Sequence, residues 1–171
     1  MSRRSAAAGS ALFLALAPGV IAGLGPWLVT GWHMRGSLTA VSWTSIPLRT
    51  IGAALIAGGA VVVLGAFARF VTEGVGTPAP VAPTEQLVIG GLYRYVRNPM
   101  YVAVTATILG QALLLGQPAL LLYAAAFLAV TAAFVHWYEE PTLRRRYGTR
   151  YDDYLREVPG WWPRLRQSSK S

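Results

Sequence analysis

The sequence predicts an all-α, polytopic integral membrane protein with about four transmembrane helices, a C-terminal helical hairpin and an amphipathic interfacial tail. Two observations lead to this fold class. Of the 171 residues, 54% are hydrophobic and only 13% are charged, whereas soluble domains average about 25% charged residues. Four apolar runs also approach the ~20 residues that cross a bilayer as a helix. Such a chain cannot cover itself with polar surface, so we expect it in a membrane.

The first two apolar runs occupy residues 6–29 and 46–71. Basic residues precede the first run, as in a signal peptide, but the run is longer than the roughly 7–15 apolar residues of a typical signal. We therefore expect a retained helix, with Pro18 inside it. Small residues in both runs predict close helix packing within the monomer, with homodimerisation as the alternative. These residues are Gly19, Gly23, Gly52, Gly58, Gly59 and Gly65.

The last two apolar runs occupy residues 100–115 and 118–138. Only a Gly-Gln-Pro sequence at 116–118 joins them, so we expect a tight helical hairpin. The earlier of the two runs is short and contains Thr105, Thr107 and Gln111. Polar side chains inside a membrane avoid lipid, so this helix should pack against the other helices.

The basic residues indicate orientation and partners. The net charge is +8, and the arginines cluster at the ends of apolar runs, which favours lipid headgroups over nucleic acid as the partner. With the N-terminus inside, every basic residue except Arg35 and Arg49 is cytoplasmic. The Ala- and Gly-rich composition hints at a bacterial inner (plasma) membrane. The chain has no cysteine, which excludes disulfides and a thiolate nucleophile, and we expect no metal site.

The longest polar connection covers residues 72–98. Pro78, Pro80 and Pro83 exclude a helix from its first half and favour an extended path. It is either a linker or a rigid strap that closes over a pocket.

The sequence GGLYRYVRNPMY at 90–101 ends this connection. Asn98 is a strong helix N-cap residue and Pro99 suits the first helical position, so the third helix should begin there. Its free amide groups, with Arg94 and Arg97 just upstream, would bind a carboxylate or phosphate. Alternatively, the arginines contact lipid phosphates and the tyrosines belong to an aromatic belt at the membrane–water interface.

Two adjacent glutamates, Glu139 and Glu140, end the fourth apolar run. Glu140 could pair with Arg144 at i,i+4 spacing. Alternatively, one or both face a pocket beside the start of the third helix and bind an ammonium group. The hairpin would bring the two ends together, and an anion site beside a cation site suits an amino-acid zwitterion. His136 could be a general base or a structural residue.

The tail from Tyr147 to Trp162 interleaves aromatic and charged residues. This pattern predicts a short helix that lies on the membrane and is anchored by Trp161 and Trp162. The same segment could instead cap a pocket.

These motifs together resemble the membrane methyltransferases of the isoprenylcysteine carboxyl methyltransferase family, and phospholipid N-methyltransferases share a similar core. The resemblance covers about residues 73–164, and the first two helices match only in being hydrophobic. The arginine-histidine-proline motif of the family falls on Arg97, Asn98 and Pro99, with asparagine in place of histidine. Its following tyrosine falls on Tyr101, and its paired glutamates fall on Glu139 and Glu140.

The resemblance implies S-adenosylmethionine as methyl donor and a lipophilic acceptor that enters from the bilayer at the cytoplasmic face. It implies a carboxyl O-methyltransferase first, with N-methylation as the alternative, and two N-terminal helices (1–72) before a cofactor-binding core (73–171). The candidate catalytic residues are Arg97, His136 and Glu139. The candidate cofactor-binding residues are Gly91, Leu92, Tyr93, Tyr95, Arg97, Asn98, Pro99, Tyr101, Glu139 and Glu140.

Two other functions fit the same sequence. A membrane reductase of the sterol type, which uses NADPH, shares a related helical core. A small scaffold or transporter subunit without enzymatic activity would bind neither cofactor.

Overall fold

The computed structural model describes residues 17–34, 45–72, 87 and 89–162. All regular secondary structure in these ranges is helical, which confirms the all-α prediction for this part of the chain. The elements are a π-helical turn (Val20–Leu24), α1 (Gly25–Thr30), α2 (Ser45–Thr72), a 3₁₀ turn (Gly91–Arg94), α3 (Pro99–Leu115), α4 (Ala119–Phe134), a second π-helical turn (Val135–Glu139), α5 (Glu140–Tyr147) and α6 (Thr149–Glu157).

Two helices in the described ranges are long and apolar enough to cross a membrane: Ile46–Arg69 within α2, and the continuous segment Ala119–Tyr147. In the most apolar 18-residue stretch of each helix, only 28% and 22% of the residues are buried. The core helix of a soluble protein is mostly buried. Both helices therefore present apolar surface outward, as lipid-facing helices do.

Helix α3 has 17 residues and is about 26 Å long. The first predicted run begins outside the described residues, so a total of four spans stays a prediction.

Helix α3 lies at the centre of the bundle, as its polar side chains predicted. It packs against α2 on one side and α4 on the other. Ile108 of α3 and Leu120 of α4 are fully buried in the core. The hydroxyls of Thr105 and Thr107 donate to carbonyls one turn earlier in the same helix, which satisfies them away from water.

Glycines bring α2 and α3 into close contact. A Cβ atom on Gly52 would lie 2.6 Å from the carbonyl oxygen of Gly110, and one on Gly59 would lie 2.7 Å from that of Ala103. A Cβ on Gly58 or Gly65 would meet nothing within 4 Å. The predicted packing within the monomer is confirmed at Gly52 and Gly59, because backbones approach this closely only where the side chain is absent.

We expect Gly59→Ala to lower the melting temperature of the protein in detergent micelles. The added methyl group collides with the hydroxyl of Thr107 and with the backbone carbonyl of Ala103, which cannot move aside as a flexible side chain can, and overpacking of this kind costs about 1–3 kcal/mol. The matched control is the adjacent Gly58→Ala, which enters open space and should gain up to about 1 kcal/mol from the better helix propensity of alanine. Equal melting temperatures for the two variants would contradict the glycine contact.

Each π turn ends two residues before a proline. The turn Val20–Leu24 is followed by Gly25 and Pro26, and the turn Val135–Glu139 by Glu140 and Pro141. In a regular α-helix the proline ring clashes with the carbonyl four residues earlier. A wider turn relieves that clash and lets the helix continue. For this reason the fourth helix does not end at Tyr138, as predicted, but runs on to Tyr147.

The hairpin between α3 and α4 forms as predicted. Gly116 adopts the left-handed conformation, with φ of 65°, and its amide donates to the carbonyl of Ala112. Helix α4 begins three residues later, at Ala119. The hairpin returns the chain to the level at which α3 began, which places Glu139 beside Tyr101.

Candidate active site

A cavity of about 350 Å³ lies between the N-terminal helical segment at 17–30, which we call the first helix, the 3₁₀ turn, α3 and α4. This volume falls within the range of small-molecule sites, about 300–1,000 Å³. Polar groups line one end and apolar groups the other. The lining residues are Ala17, Pro18, Ile21, Tyr93, Arg97, Asn98, Pro99, Met100, Tyr101, Val104, Phe127, Thr131, Phe134 and Glu139.

Glu139 contributes a carboxylate to the polar end. The hydroxyl of Tyr101 donates to its Oε2 atom at 3.2 Å. Phe127, Thr131 and Phe134 line the same wall at i, i+4 and i+7 spacing, and a regular α-helix would place residue 138 next on this face. The second π turn adds one residue, so Glu139 takes that position. The proline that follows Glu140 thereby places Glu139, and not Tyr138, toward the cavity.

Glu140 forms an ion pair with Arg97 across 43 residues of sequence. Arg97 Nη1 and Glu140 Oε1 are 2.6 Å apart, and the two side chains are only 17% and 23% exposed. The predicted partner of Glu140, Arg144, instead contacts Asp152 at 3.0 Å. The i,i+4 alternative is therefore wrong: the turn of the chain at Gly148 brings Asp152 to Arg144 and leaves Glu140 for Arg97.

Arg97 keeps one donor for another group. It lines the cavity, and its Nε atom is buried without a hydrogen-bond partner among the described residues. A buried donor of this kind is costly, and an anion in the cavity would satisfy it.

Asn98 precedes α3 as predicted, but its side chain does not cap the helix. Its Nδ2 atom and its backbone amide both donate to the carbonyl oxygen of Gly160, each at 3.1 Å. The capping prediction is wrong: the bond from Nδ2 holds the side chain toward the tail, and the side chain makes no cap bond to the first-turn amides. The first-turn amides of α3 are therefore left uncapped by Asn98.

The tail after α6 contacts three residues that line the cavity, namely Arg97, Asn98 and Tyr101. The amide of Arg97 donates to the carbonyl of Pro159 at 2.9 Å, and the Trp161 ring lies 6.2 Å from that of Tyr101. A Cβ on Gly160 would lie 3.3 Å from Arg97 Nη2, so only a small residue fits there. Of the two roles predicted for the tail, these contacts support closure of a pocket.

Three tyrosines beside the polar end stay protonated near neutral pH. Burial raises the pKa of Tyr151 to about 12, and the charge of Glu140 adds to the rise. Burial also raises the pKa values of Tyr93 and Tyr154. The hydroxyl of Tyr154 donates to the carbonyl of Tyr93 at 2.7 Å. These groups are hydrogen-bond donors, not bases.

The structure brings together some of the candidate residues and leaves others apart. Gly91, Leu92 and Tyr95 do not line the cavity, and the guanidinium of Arg94 lies over the Tyr95 ring. His136 is exposed, with its ring against Trp137, so its position gives no support to a general-base role. Those that line the cavity are Tyr93, Arg97, Asn98, Pro99, Tyr101 and Glu139.

Sequence reasoning missed the apolar wall of the cavity. Pro18 and Ile21 of the first helix, and Phe127 and Phe134 of α4, were assigned only to apolar runs. The spacing of Phe127, Thr131 and Phe134 was a usable signal, because it marks one face of a helix that leads toward the paired glutamates.

A family model described as "Phospholipid methyltransferase" matches residues 48–150. The match covers more than half of the chain and extends from α2 to the start of α6. It includes the polar end of the cavity and both glutamates. The first helix and the tail segment around Gly160 lie outside it. No curated protein matches the chain.

Proposed function

Because the chain belongs to the phospholipid methyltransferase family, we propose that it is an S-adenosylmethionine-dependent enzyme that methylates a lipophilic acceptor at the cytoplasmic membrane face. The family assignment confirms the resemblance predicted from the sequence. It also extends the family core to α2, which the sequence had matched only in being hydrophobic. The protein is thus a membrane methyltransferase, and the donor, the acceptor and the orientation are the proposed parts.

One observation carries this proposal. At the polar end of the cavity, the Glu139 carboxylate has no cationic partner among the described residues. In the same cavity, the buried Nε donor of Arg97 has no acceptor in the described part of the chain. A ligand with one ammonium and one carboxylate group satisfies both, and the methionine end of S-adenosylmethionine is such a ligand.

The residues present fit this cofactor. Glu139 would bind its ammonium group, and Arg97 would bind its carboxylate together with the uncapped amides that begin α3. Tyr93 and Tyr101 would pack against its ring system or its sulfonium, as aromatic faces do with cations. When bound, the cofactor supplies an electrophilic methyl group on sulfur.

The protein would contribute to such a reaction by aligning the reactants and by excluding water from them. The backbone bonds from Arg97 and Asn98 to the tail close the polar end, and apolar side chains form the rest of the cavity. Alignment of the reactants and exclusion of water account for much of the rate in a transfer of this type. Methyl transfer to a carboxylate, which is already ionised, therefore needs no general base at His136.

The acceptor follows from the apolar walls and from the resemblance. A prenylcysteine carboxylate is the acceptor that the resemblance implies, and a lipid amine is the alternative. We propose a bacterial inner membrane with both termini in the cytoplasm, supported by the position of the basic residues outside the apolar runs.

Calorimetry on the detergent-purified protein tests the cofactor. We expect S-adenosylhomocysteine to bind with a dissociation constant on the order of micromolar, and NADPH not to bind. Incubation with methyl-labelled S-adenosylmethionine and a total lipid extract should then label a lipid that mass spectrometry identifies. Binding of NADPH without S-adenosylhomocysteine would favour the reductase, and binding of neither would favour the scaffold.

A further inference from the structure

The apolar end of the cavity is built partly by the first helix, which lies outside the family match. Ala17, Pro18 and Ile21 line it there, opposite the face of α4 that carries Phe127 and Phe134. Because the polar end is assigned to the cofactor, this end is left for the acceptor. The following inference rests on that proposed function.

The first π turn leaves backbone carbonyls without their usual donors. The amide of Gly25 donates to the carbonyl of Val20, so it is not available to Ile21 as in a regular α-helix. The next residue, Pro26, has no N–H, and this removes the alternative donor for Ile21. It also removes the α-helical donor for Ala22. The helix therefore needs donors from outside for these two positions.

Side chains from α3 and α4 supply them. The Tyr123 hydroxyl donates to the carbonyl of Ile21 at 2.9 Å, and Gln111 Nε2 donates to that of Ala22 at 2.6 Å. Gln111 also accepts from the indole of Trp32 at 3.3 Å. We call the Tyr123 and Gln111 bonds to these carbonyls the carbonyl clamp.

Gly25 makes room for the clamp. A Cβ atom at this position would lie 2.8 Å from Cζ of Tyr123, which would push the ring away from the carbonyl of Ile21. The helix thus lacks a side chain at the one point where the tyrosine crosses it.

We propose that the carbonyl clamp fixes the wall formed by Pro18 and Ile21, and so determines which lipophilic group of the acceptor fits the cavity. Ile21 connects the two functions, because its carbonyl accepts the clamp bond and its side chain lines the cavity. Tyr123 and Gln111 do not line the cavity themselves. They are positioning residues for acceptor choice and not catalytic residues.

The test uses Tyr123→Phe and Gln111→Leu, which remove the donors and keep most of the side-chain volume. The acceptors are cysteines that carry a geranyl, farnesyl or geranylgeranyl group, and phosphatidylethanolamine in vesicles. We expect the ratio of kcat/KM between the smallest and the largest prenyl acceptor to change roughly ten-fold, mainly through KM, since pocket contacts of this size discriminate by about that factor. The affinity for S-adenosylhomocysteine should stay within about two-fold, because the cofactor end is intact.

Thr50→Val is the matched control. It removes a hydroxyl that donates to the carbonyl of Ile46 on the exposed side of α2, and it should leave the acceptor ratio unchanged. Gly25→Ala should reproduce the effect of Tyr123→Phe by displacing the ring, although alanine favours the helix.

An unchanged acceptor ratio in Tyr123→Phe and Gln111→Leu, with methyl transfer retained, would overturn the inference. So would a changed ratio in Ile21→Val without any change in the two clamp variants, since the wall would then not depend on the clamp. A wild type that binds S-adenosylhomocysteine but methylates none of these acceptors would remove the acceptor assignment and the inference with it. Failure of the wild type to bind S-adenosylhomocysteine would instead overturn the proposed function.

Discussion

Replacement of Glu139 by glutamine is expected to weaken S-adenosylhomocysteine binding by about 10- to 100-fold, since a hydrogen bond to a charged group contributes about 1.5–3 kcal/mol. The substitution removes the negative charge that would hold the ammonium group. The amide oxygen of glutamine can still accept the hydrogen bond from Tyr101, so the fold should be kept. Calorimetry on the purified protein measures the affinity, and circular dichroism checks the helical content.

Glu157→Gln is the control for this charge change. Glu157 is exposed at the end of α6 and does not line the cavity, so its loss should leave the affinity within about two-fold. If Glu139→Gln bound as tightly as the wild type, Glu139 would not be the ammonium site, and the main support for the proposed cofactor would be lost.

The sequence predicted those parts of the fold that depend on residues close together in the chain. The Gly-Gln-Pro turn predicted the hairpin, the polar residues of the third run predicted its central position, and Asn98-Pro99 predicted the start of α3. Each of these features depends on residues that are neighbours in the chain. The Pro-rich strap at 73–86 lies outside the described residues, so its two alternatives stay as predicted.

The arrangement of the site was less accessible, because it depends on contacts between distant segments. Sequence analysis assigned Arg97 and the paired glutamates to opposite charges of one ligand, whereas the structure pairs Arg97 with Glu140. Whether Glu139 or Tyr138 faces the cavity depends on a single extra residue in a helical turn. The prolines at 26 and 141 were visible in the sequence, but a proline inside an apolar run signals a kink, a break or a π turn equally well.

The tail shows the same limitation. Its amphipathic pattern predicted α6 correctly, yet the pattern fitted a membrane surface and a pocket wall alike. The difference lies in backbone bonds from Pro159 and Gly160 to Arg97 and Asn98, and no side-chain pattern encodes those bonds. Only small residues such as Gly160 hint at a close approach.

The ion pair between Arg97 and Glu140 carries the second large effect. Arg97→Gln and Glu140→Gln should each lower stability by about 2–4 kcal/mol, because removal of one member leaves the other charge partly buried and unpaired. The double variant should be less unstable than the sum of the two, with a coupling of about 1–3 kcal/mol. Thermal and denaturant unfolding in micelles measures these differences. The exposed pair of Arg144 and Asp152 is the matched control, and Asp152→Asn should cost at most about 1 kcal/mol.

We expect substitutions of Arg97 and Glu140 to have different effects on cofactor affinity. Arg97→Gln removes the donor proposed for the cofactor carboxylate and should weaken S-adenosylhomocysteine binding by about ten-fold or more. Glu140→Gln should keep the affinity within about three-fold, because Glu140 does not line the cavity and its loss leaves the full charge of Arg97 available to an anion. An ammonium site at Glu140, which the sequence also allowed, predicts the opposite. A ten-fold loss of affinity in a folded Glu140→Gln variant would restore that assignment and show that the pair opens when the cofactor binds.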